Sequence, residues 1–335
     1  MKISKKFLGG VAAVAMMAGA YAAQAGSHSK EIVVGFFPEW PMPFQTEQAG
    51  SAFSDAGINI KWVSFDAGTA MSAAMASGDV HISVSQGVTP FLTAVSAGQD
   101  LQAIAVPIGY SDNNNCVVRT SLEIDKSNAK ELEGKTVGVP LSTAAHTDFL
   151  AQMEHFGVDT NKMTIVDMAP VDAAAAFASG NMDMVCGWGG PLRRMKEFGT
   201  PLLTGDEKES VSGKIYDVIS TPGSWAKENA DTVAKFLSVY SAIDAKWNSG
   251  MAAQTEMLPE IAKQAGMDEA AAKETIGVMR FPSVEAQLSD AWMGGFVQKN
   301  FAESAAKMVE AGSVKALPDY DSLVNTSYLE AASKM

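Results

Sequence analysis

Two loops rich in serine and threonine stand directly before predicted helices, and together they could bind an anion. Ser83–Pro90 reads SVSQGVTP, and Pro140–Thr147 reads PLSTAAHT. The start of a helix presents unpaired N–H groups and the positive end of the helix dipole, so neighbouring hydroxyls complete an anion site. Ordinary helix capping by the serines and threonines of both loops explains the same pattern equally well.

The charge of the two loops and the aromatic residues elsewhere suggest a ligand with two ends. Neither loop contains Lys or Arg, which favours a singly charged oxyanion such as a sulfonate or carboxylate over a phosphate. Glu39 lies beside Trp40, and Trp188 follows a predicted strand; an acid beside aromatic rings can hold an amine. The alternatives are core packing for both tryptophans and a solvated loop position for Glu39.

Catalytic and metal-binding patterns are weak. The chain has four histidines and no C-x-x-C or H-E-x-x-H motif, so no metal ligand cluster is predicted. No G-x-S-x-G motif occurs, and His146 is a better candidate for an anion donor than for a general base. Cys116 and Cys186 both lie in apolar strand-like runs, where they could form a disulfide or remain small buried thiols.

An internal duplication indicates how these residues are positioned. Ala73–Ser85 (AAMASGDVHISVS) matches Ala175–Gly187 (AAFASGNMDMVCG) at an offset of 102. Each copy reads as a helix ended by a glycine and followed by a short apolar strand. Two upstream strands match at nearly the same offset, so each unit reads β-α-β-α-β. Alternation of this kind predicts two α/β lobes, each a mostly parallel sheet flanked by helices.

The rest of the chain joins the two units into a clamshell. Ile108–Arg119 and Ser212–Pro222 read as two crossing strands that form a hinge, with the ligand in the cleft between the lobes. The segment after Ile219 is mainly helical, including Ser283–Ala311, and is expected to pack on lobe one. The predicted division is 1–25 for a signal peptide, 26–110 with 218–335 for lobe one, and 111–217 for lobe two.

The first residues and the net charge limit where the protein acts and what it binds. Lys2, Lys5 and Lys6 precede an apolar run and the small-residue pattern Ala23-Gln24-Ala25, which predicts an exported protein cut after Ala25. No cysteine follows the run for lipidation, which favours a soluble periplasmic protein. The formal charge is −13, from 25 basic and 38 acidic residues, and this excess of acid argues against nucleic-acid binding.

Several stretches give the chain a family resemblance. They are Phe65–Pro90, Leu132–Leu150, the G-W-G-G-P segment around Trp188, Ile215–Thr221 and Ala316–Val324. In this order and spacing they resemble periplasmic substrate-binding proteins of ABC importers, in the group that takes taurine, alkanesulfonates and nitrate. Taurine-binding members are the most similar. The resemblance implies the two-lobed type II periplasmic-binding-protein fold and an extracytoplasmic solute-binding role.

The resemblance also implies a zwitterion site. The sulfonate would lie on Ser85, Gln86 and Gly87 of lobe one and on Thr143 and His146 of lobe two, while Asp217 and Glu39 would hold the ammonium group. The first loop reads PEWPMP and the Trp188 loop reads G-W-G-G-P, and both depart from the family pattern beside the ligand. The full predicted ligand-binding set is Glu39, Trp40, Ser85, Gln86, Gly87, Thr143, Ala144, His146, Trp188 and Asp217.

The predicted function is therefore capture of taurine or a similar aminosulfonate and its delivery to an inner-membrane ABC permease, by a monomer without cofactor or catalytic activity. One alternative keeps this role for a methylated amine or another small zwitterion or organic anion. Two alternatives come from other classes, a periplasmic ligand sensor and an enzyme similar to thiamine-pyrimidine synthases. A sensor differs from a transport protein only in the surface that docks on its membrane partner.

Overall fold

The structure, a computed structural model, describes residues 31–110 and 112–335. The predicted signal peptide, 1–25, lies outside the described residues. The strands are β1 Glu31–Phe36, β2 Asn59–Ser64, β3 Ile82–Gly87, β4 Leu101–Tyr110, β5 Asn114–Arg119, β6 Thr136–Val139, β7 Thr164–Asp167, β8 Met184–Trp188, β9 Gly199–Thr200, β10 Ile215–Pro222 and β11 Met279–Arg280.

Fourteen α-helices are described alongside these strands. They are α1 Ala52–Asp55, α2 Gly68–Ser77, α3 Val88–Ser96, α4 Ala144–His155, α5 Pro170–Ala178, α6 Gly189–Met195, α7 Gly205–Ser212, α8 Gly223–Glu228, α9 Ala230–Asn248, α10 Met251–Ala265, α11 Glu269–Gly277, α12 Val284–Leu288, α13 Phe296–Glu310 and α14 Ser327–Ala332. Short 3₁₀ helices span Pro43–Gln48, Thr120–Leu122, Ala129–Leu132, Thr160–Lys162 and Asp321–Leu323. Within the described ranges, no helix is both long and apolar enough to cross a membrane.

The two sheets share the same unit of three parallel strands, as the duplication predicts. Sheet one has the order β11-β4-β10-β3-β1-β2 and sheet two the order β7-β6-β8-β5-β9. The duplicated units supply the parallel strands β2-β1-β3 and β7-β6-β8. Residue pairing repeats as well, because Val34 lies opposite Ile82 in sheet one and Val137 opposite Met184 in sheet two. The α/β fold with two sheets is confirmed.

The segments that link the sheets account for the antiparallel strands. In sheet one β10 is antiparallel to both β3 and β4, and in sheet two β5 is antiparallel to β8. The chain leaves sheet one through β4, enters sheet two through β5, and returns to sheet one through β10 beside β4. The parallel part is three of the six strands of sheet one and three of the five strands of sheet two. The lobe boundaries at 110 and 217 stay a prediction; β10, which includes Asp217, pairs with sheet one.

Separate cores support the two sheets. One large core joins sheet one to the C-terminal helices, with Phe236, Tyr240 and Phe301 buried against the strands. Sheet two has a smaller core on each face because alternate residues of β5 and β8 point to opposite sides. The predicted helix Ser283–Ala311 is interrupted, since α12 ends at Leu288 and α13 begins at Phe296 after two glycines.

A disulfide crosses the centre of sheet two. Cys116 of β5 and Cys186 of β8 lie directly opposite each other, with their Cα atoms 3.9 Å apart, and are bonded. The sequence left this pairing open because it could not show that the two strands are neighbours. The bond closes a chain segment with a sequence separation of 70, so it restricts the unfolded chain strongly.

Candidate functional site

A small cavity lies where loops of the two sheets meet. Its walls come from both sheets and from the first turns of several helices, as expected for a cleft between α/β units. The lining residues are Phe37, Trp40, Gly68, Gly87, Pro90, Tyr110, Asn114, Thr143, Ala144, Trp188 and Asp217. Six of the ten residues predicted from the sequence are among them: Trp40, Gly87, Thr143, Ala144, Trp188 and Asp217.

A buried carboxylate forms one end of the cavity. Asp217 is 3% exposed and is the one charged side chain among the lining residues that the structure describes. Tyr110 Oη donates to Asp217 Oδ1 at 2.7 Å, and Ser85 Oγ donates to Oδ2. Trp40 Nε1 in turn donates to Ser85 Oγ at 3.1 Å. The predicted residue Ser85 thus reaches the site through Asp217.

Burial leaves this carboxylate incompletely stabilised as an ion. Loss of hydration raises the pKa of Asp217 to about 6, although the hydrogen bonds from Ser85 and Tyr110 lower it. Two neutral hydroxyl donors therefore do not replace the water that a carboxylate loses. A cation in the cavity would supply the missing charge, so the arrangement suits a positively charged group.

Strand pairing explains why Asp217 lies there. Antiparallel pairing places Asp217 opposite Gly87 of β3 and opposite Ile108 of β4. A Cβ atom added to Gly87 would lie 3.6 Å from Asp217 Oδ1 and 3.5 Å from Pro90 Cδ. The glycine keeps open the space directly in front of the carboxylate.

The first turns of three helices face the same cavity. The lining includes Gly68 at the start of α2, Gly87 before α3, and both Thr143 and Ala144 at the start of α4. None of these three helices has a side-chain cap at its N-terminus. Thr143 Oγ1 donates to Pro140 O at 2.6 Å instead of accepting from its own helix. The capping alternative is therefore wrong at α3 and α4, and the first-turn N–H groups are available to an anion.

Aromatic rings occupy much of the remaining wall. Trp40 and Tyr110 make an edge-to-face contact with ring centroids 4.9 Å apart, and Phe37 lies 6.3 Å from Trp188. Trp40 is 2% exposed, so it belongs to the core of sheet one as well as to the cavity. Trp188 is half-buried at the end of β8 and packs against the cores of both sheets. Such a wall favours a cation with apolar substituents.

Besides Ser85, three predicted residues lie outside the lining: Glu39, Gln86 and His146. The Glu39 carboxylate pairs with Arg194 of α6, with Nη2 3.2 Å from Oε1 and Nη1 on the other oxygen. The Gln86 side chain is fully buried, where Nε2 donates to Ser72 Oγ at 2.6 Å and Oε1 accepts from Ser220.

His146 is turned towards its own loop. The Ser142 N–H donates to His146 Nδ1 at 3.4 Å, and burial lowers the pKa of this imidazole although Asp167 opposes the shift. At neutral pH the ring is therefore uncharged, and it lies outside the cavity lining.

Sequence reasoning missed five lining residues: Phe37, Gly68, Pro90, Tyr110 and Asn114. Tyr110 and Asn114 lie on either side of the turn between β4 and β5, inside the predicted crossing Ile108–Arg119. That segment was interpreted as a hinge, so its polar side chains were not considered as ligand contacts. Phe37 belongs to the first loop, of which the sequence predicts only Glu39 and Trp40 as ligand contacts.

Signs of metal or thiol chemistry are absent from the described part of the chain. Within it, no group of three or more His, Cys, Asp or Glu side chains could hold a metal ion. Cys186 is bonded to Cys116, so it has no thiol that could act as a nucleophile.

The chain is similar in sequence to known binding proteins. The taurine-binding periplasmic protein of Escherichia coli K12 is 24% identical over 299 residues, which cover 86% of this chain and 89% of the relative. A putative aliphatic sulfonates-binding protein of Bacillus subtilis 168 is 26% identical over 239 residues, or 69% of this chain and 70% of the relative.

Among solved structures, the alkanesulfonate-binding protein SsuA from Xanthomonas axonopodis pv. citri, bound to MOPS, is 16% identical. It superposes with a TM-score of 0.72 over 89% of this chain and 98% of that chain, which confirms the predicted fold. Residues 42–242 match the family described as NMT1/THI5 like, which is more than half of the sequence. The chain belongs to the NMT1/THI5-like family.

Proposed function

We propose that this protein is the solute-binding component of an ABC importer and that it captures a small aminosulfonate such as taurine in the cavity between its sheets. One observation carries the proposal: a buried carboxylate and the N-terminus of α4, which has no side-chain cap, line the same cavity from different sheets. A zwitterion with a cationic and an anionic end matches both at once.

The cationic end of the ligand would lie at Asp217. An ammonium group near this carboxylate replaces the hydration lost on burial, and it stabilises the ionised form that the apo site disfavours. Because Asp217 carries the one charge among the described lining residues, a cationic end is favoured there over a neutral one.

The anionic end would lie at the start of α4, which lines the cavity with Thr143 and Ala144. Main-chain N–H groups and helix dipoles stabilise a single negative charge without basic side chains. No Lys or Arg occurs among the described lining residues, and phosphate recognition usually recruits Arg. A sulfonate or carboxylate therefore fits better than a phosphate.

A second candidate ligand is an N-methylated zwitterion. Phe37, Trp40, Tyr110 and Trp188 give the cavity more aromatic surface than a primary ammonium group needs. Methyl groups on the nitrogen spread its charge over a larger apolar surface, which aromatic rings bind well. This candidate keeps the same function and changes only the substituents at the cationic end.

Contacts between the two halves suggest how the ligand is held. Gly190 N donates to Glu39 O at 2.9 Å, beside the Glu39–Arg194 ion pair. Thr89 Oγ1 of α3 lies 2.9 Å from Thr147 Oγ1 of α4. These contacts would form as the halves close over the ligand, so we assign them to the closed state of a binding protein.

The proposed location is the periplasm, after cleavage of a signal peptide behind Ala25. Relatives of this chain are periplasmic binding proteins by name, and the Cys116–Cys186 disulfide suits an oxidising compartment. The proposed partner is an ABC permease in the inner membrane, reached by a monomer. Nucleic acid is not a proposed partner, because the chain carries a net charge of −13.

The test is a ligand screen on the mature protein. Isothermal titration and thermal shift would compare taurine, its N-methylated derivatives, amine-free ethanesulfonate and inorganic phosphate. We expect aminosulfonates to raise the melting temperature most, since a ligand specific for the folded state stabilises it. Conversion of taurine into a product under the same conditions would instead favour an enzyme, and tighter binding of phosphate would contradict the assigned anion site.

A further inference from the structure

Asn114 has a buried acceptor without a partner. This first residue of β5 is 1% exposed and lines the cavity, and its Oδ1 accepts no hydrogen bond from the protein. Buried polar atoms are nearly always satisfied, so an unsatisfied one beside a ligand cavity points to a partner that arrives with the ligand. An N–H donor would satisfy an amide oxygen.

A buried ion pair fixes which end of the amide is free. Asn114 Nδ2 lies 3.2 Å from Asp148 Oδ2, the oxygen that is also 3.0 Å from Lys208 Nζ. Ser212 Oγ donates to the other oxygen of Asp148, and both members of the ion pair have side chains 1% exposed. A carboxylate paired in this way accepts hydrogen bonds, so the amide must turn its NH₂ group to Asp148 and leave its oxygen for another donor.

The adjacent asparagine makes a useful contrast. Asn115 is fully buried, but its Nδ2 donates to Leu203 O at 2.8 Å and its Oδ1 accepts from Gln152 Nε2 at 3.1 Å. Asn114 lines the cavity, whereas Asn115 is not among the lining residues. Two neighbouring residues of the same type thus differ in one respect, the unsatisfied oxygen.

We propose that Asn114 is a specificity-determining residue, whose Oδ1 accepts an N–H from the cationic end of the ligand and thereby selects nitrogens that keep at least one hydrogen. The inference rests on the proposed function, because it needs a cationic ligand. Asp217 supplies the charge, and any cation satisfies it; Asn114 supplies a directional acceptor, and a quaternary nitrogen leaves that acceptor buried and unpaired. Asp148 and Lys208 act as positioning residues through the amide.

Stepwise methylation of the ligand tests this on the unchanged protein. Titration calorimetry would give affinities for taurine and for its N-methyl, N,N-dimethyl and N,N,N-trimethyl derivatives. We expect the affinity to fall sharply only at the last step, by roughly 10- to 100-fold, since that step removes the final N–H. A trimethyl ligand that binds as well as the dimethyl ligand would overturn the proposal.

Substitution tests the same contact from the protein side. Asn114→Leu keeps the side-chain size, and Asn115→Leu is the matched control at the adjacent buried position, which does not line the cavity. We expect Asn114→Leu to lower the affinity for taurine by roughly 10- to 100-fold and that for ethanesulfonate by less than about 3-fold. Asn115→Leu should lower the melting temperature and leave the ratio of the two affinities unchanged.

The outcomes separate the inference from the proposed function. Equal losses for taurine and ethanesulfonate in Asn114→Leu would make Asn114 a packing residue and overturn the inference while the function stands. Failure of the unchanged protein to bind any amine-bearing sulfonate would overturn the function and the inference together. Should Asn114→Leu fail to fold, the methylation series on the unchanged protein still decides.

Discussion

The two ends of the cavity recognise charge by different means. At the Asp217 end, side chains form a buried chain from Trp40 through Ser85 to the carboxylate, which Tyr110 also contacts. At the α4 end, the groups available are main-chain N–H donors of a helix that has no side-chain cap. The Asp217 end thus depends on a single desolvated charge, whereas the α4 end distributes the interaction over the peptide units of the first turn of a helix.

This difference has consequences for sensitivity to mutation and to pH. A single buried carboxylate can be removed by one substitution and neutralised by one proton. Main-chain donors do not titrate, and a side-chain substitution leaves them in place. The proposed cation end should therefore be fragile and pH-dependent, and the proposed anion end robust.

The largest expected effect is that of Asp217→Asn. Loss of the charge should lower the affinity for taurine by on the order of 100- to 1,000-fold, because the ammonium group would be buried without a counter-ion. Binding of ethanesulfonate should not weaken, since it has no cation to pair. Calorimetry on both ligands makes the comparison, and equal losses for both would place the cationic end elsewhere.

The second-largest expected effect is that of pH. A rise in pH should increase the affinity for taurine and decrease the stability of the apo protein. Because the pKa of Asp217 is about 6, affinity for taurine should fall about tenfold for each pH unit below 6. Affinity for ethanesulfonate should not fall in the same range. A parallel pH profile for both ligands would contradict the assignment of the carboxylate to the cationic end.

The stability of the apo protein should change with pH in the opposite direction to the affinity for taurine, because the folded-state pKa of Asp217 lies above its unfolded value near 3.8. The folded protein holds this proton more tightly, so ionisation of Asp217 lowers the free energy of unfolding as pH rises from about 4 to 6. A shift of roughly two units corresponds to about 3 kcal/mol. Asp217→Asn should remove this slope in urea unfolding at a series of pH values.

A proline substitution probes the other end. Ala144→Pro removes the first N–H of α4 at a position where helices accept proline, and Thr143 before it is already extended (ψ 172°). We expect roughly 10-fold weaker binding of taurine and ethanesulfonate alike. Glu269→Pro at the first position of α11, which also follows an extended residue (ψ 157°), is the control and should change neither affinity. A loss confined to taurine would contradict the anion assignment.

The smallest effect should come from the ion pair between the halves. Arg194→Ala removes the partner of Glu39, whose pairing is partly exposed, so affinity should fall only about 3-fold, through faster dissociation. Both ligands should respond equally, because Glu39 contacts Arg194 and does not line the cavity. Arg193→Ala on the same helix, whose guanidinium pairs with Glu197, is the control in stopped-flow measurements. A loss of affinity for taurine alone would indicate that Glu39 contacts the ammonium group.

Local pattern was sufficient for the architecture. The offset of 102 between two helix–glycine–strand units predicts two sheets with the same unit of three parallel strands, and the residue pairs Val34–Ile82 and Val137–Met184 confirm it. The sequence also identified the loops before α3 and α4, since helix starts follow from composition and spacing. The sequence could therefore predict residues that line the cavity because of their position in such a loop, such as Gly87 and Thr143.

The direction in which each loop side chain points could not be predicted from the sequence. Glu39 and Gln86 stand in loops that were identified as part of the site, yet Glu39 pairs with Arg194, 155 residues later, and Gln86 bonds to Ser72 and Ser220. Each side chain turned to a partner supplied by a distant part of the chain. Tyr110 and Asn114 line the cavity although the sequence predicts their segment only as a hinge.

By itself, the sequence determined the α/β class, the two repeated units and the presence of an acid in the returning strand, because periodicity and order along the chain encode these directly. Tertiary structure alone decided which acid became desolvated, that Cys116 meets Cys186, and which end of the Asn114 amide lacks a partner. Burial and hydrogen-bond saturation depend on neighbours that are remote in the chain, and no local pattern specifies them.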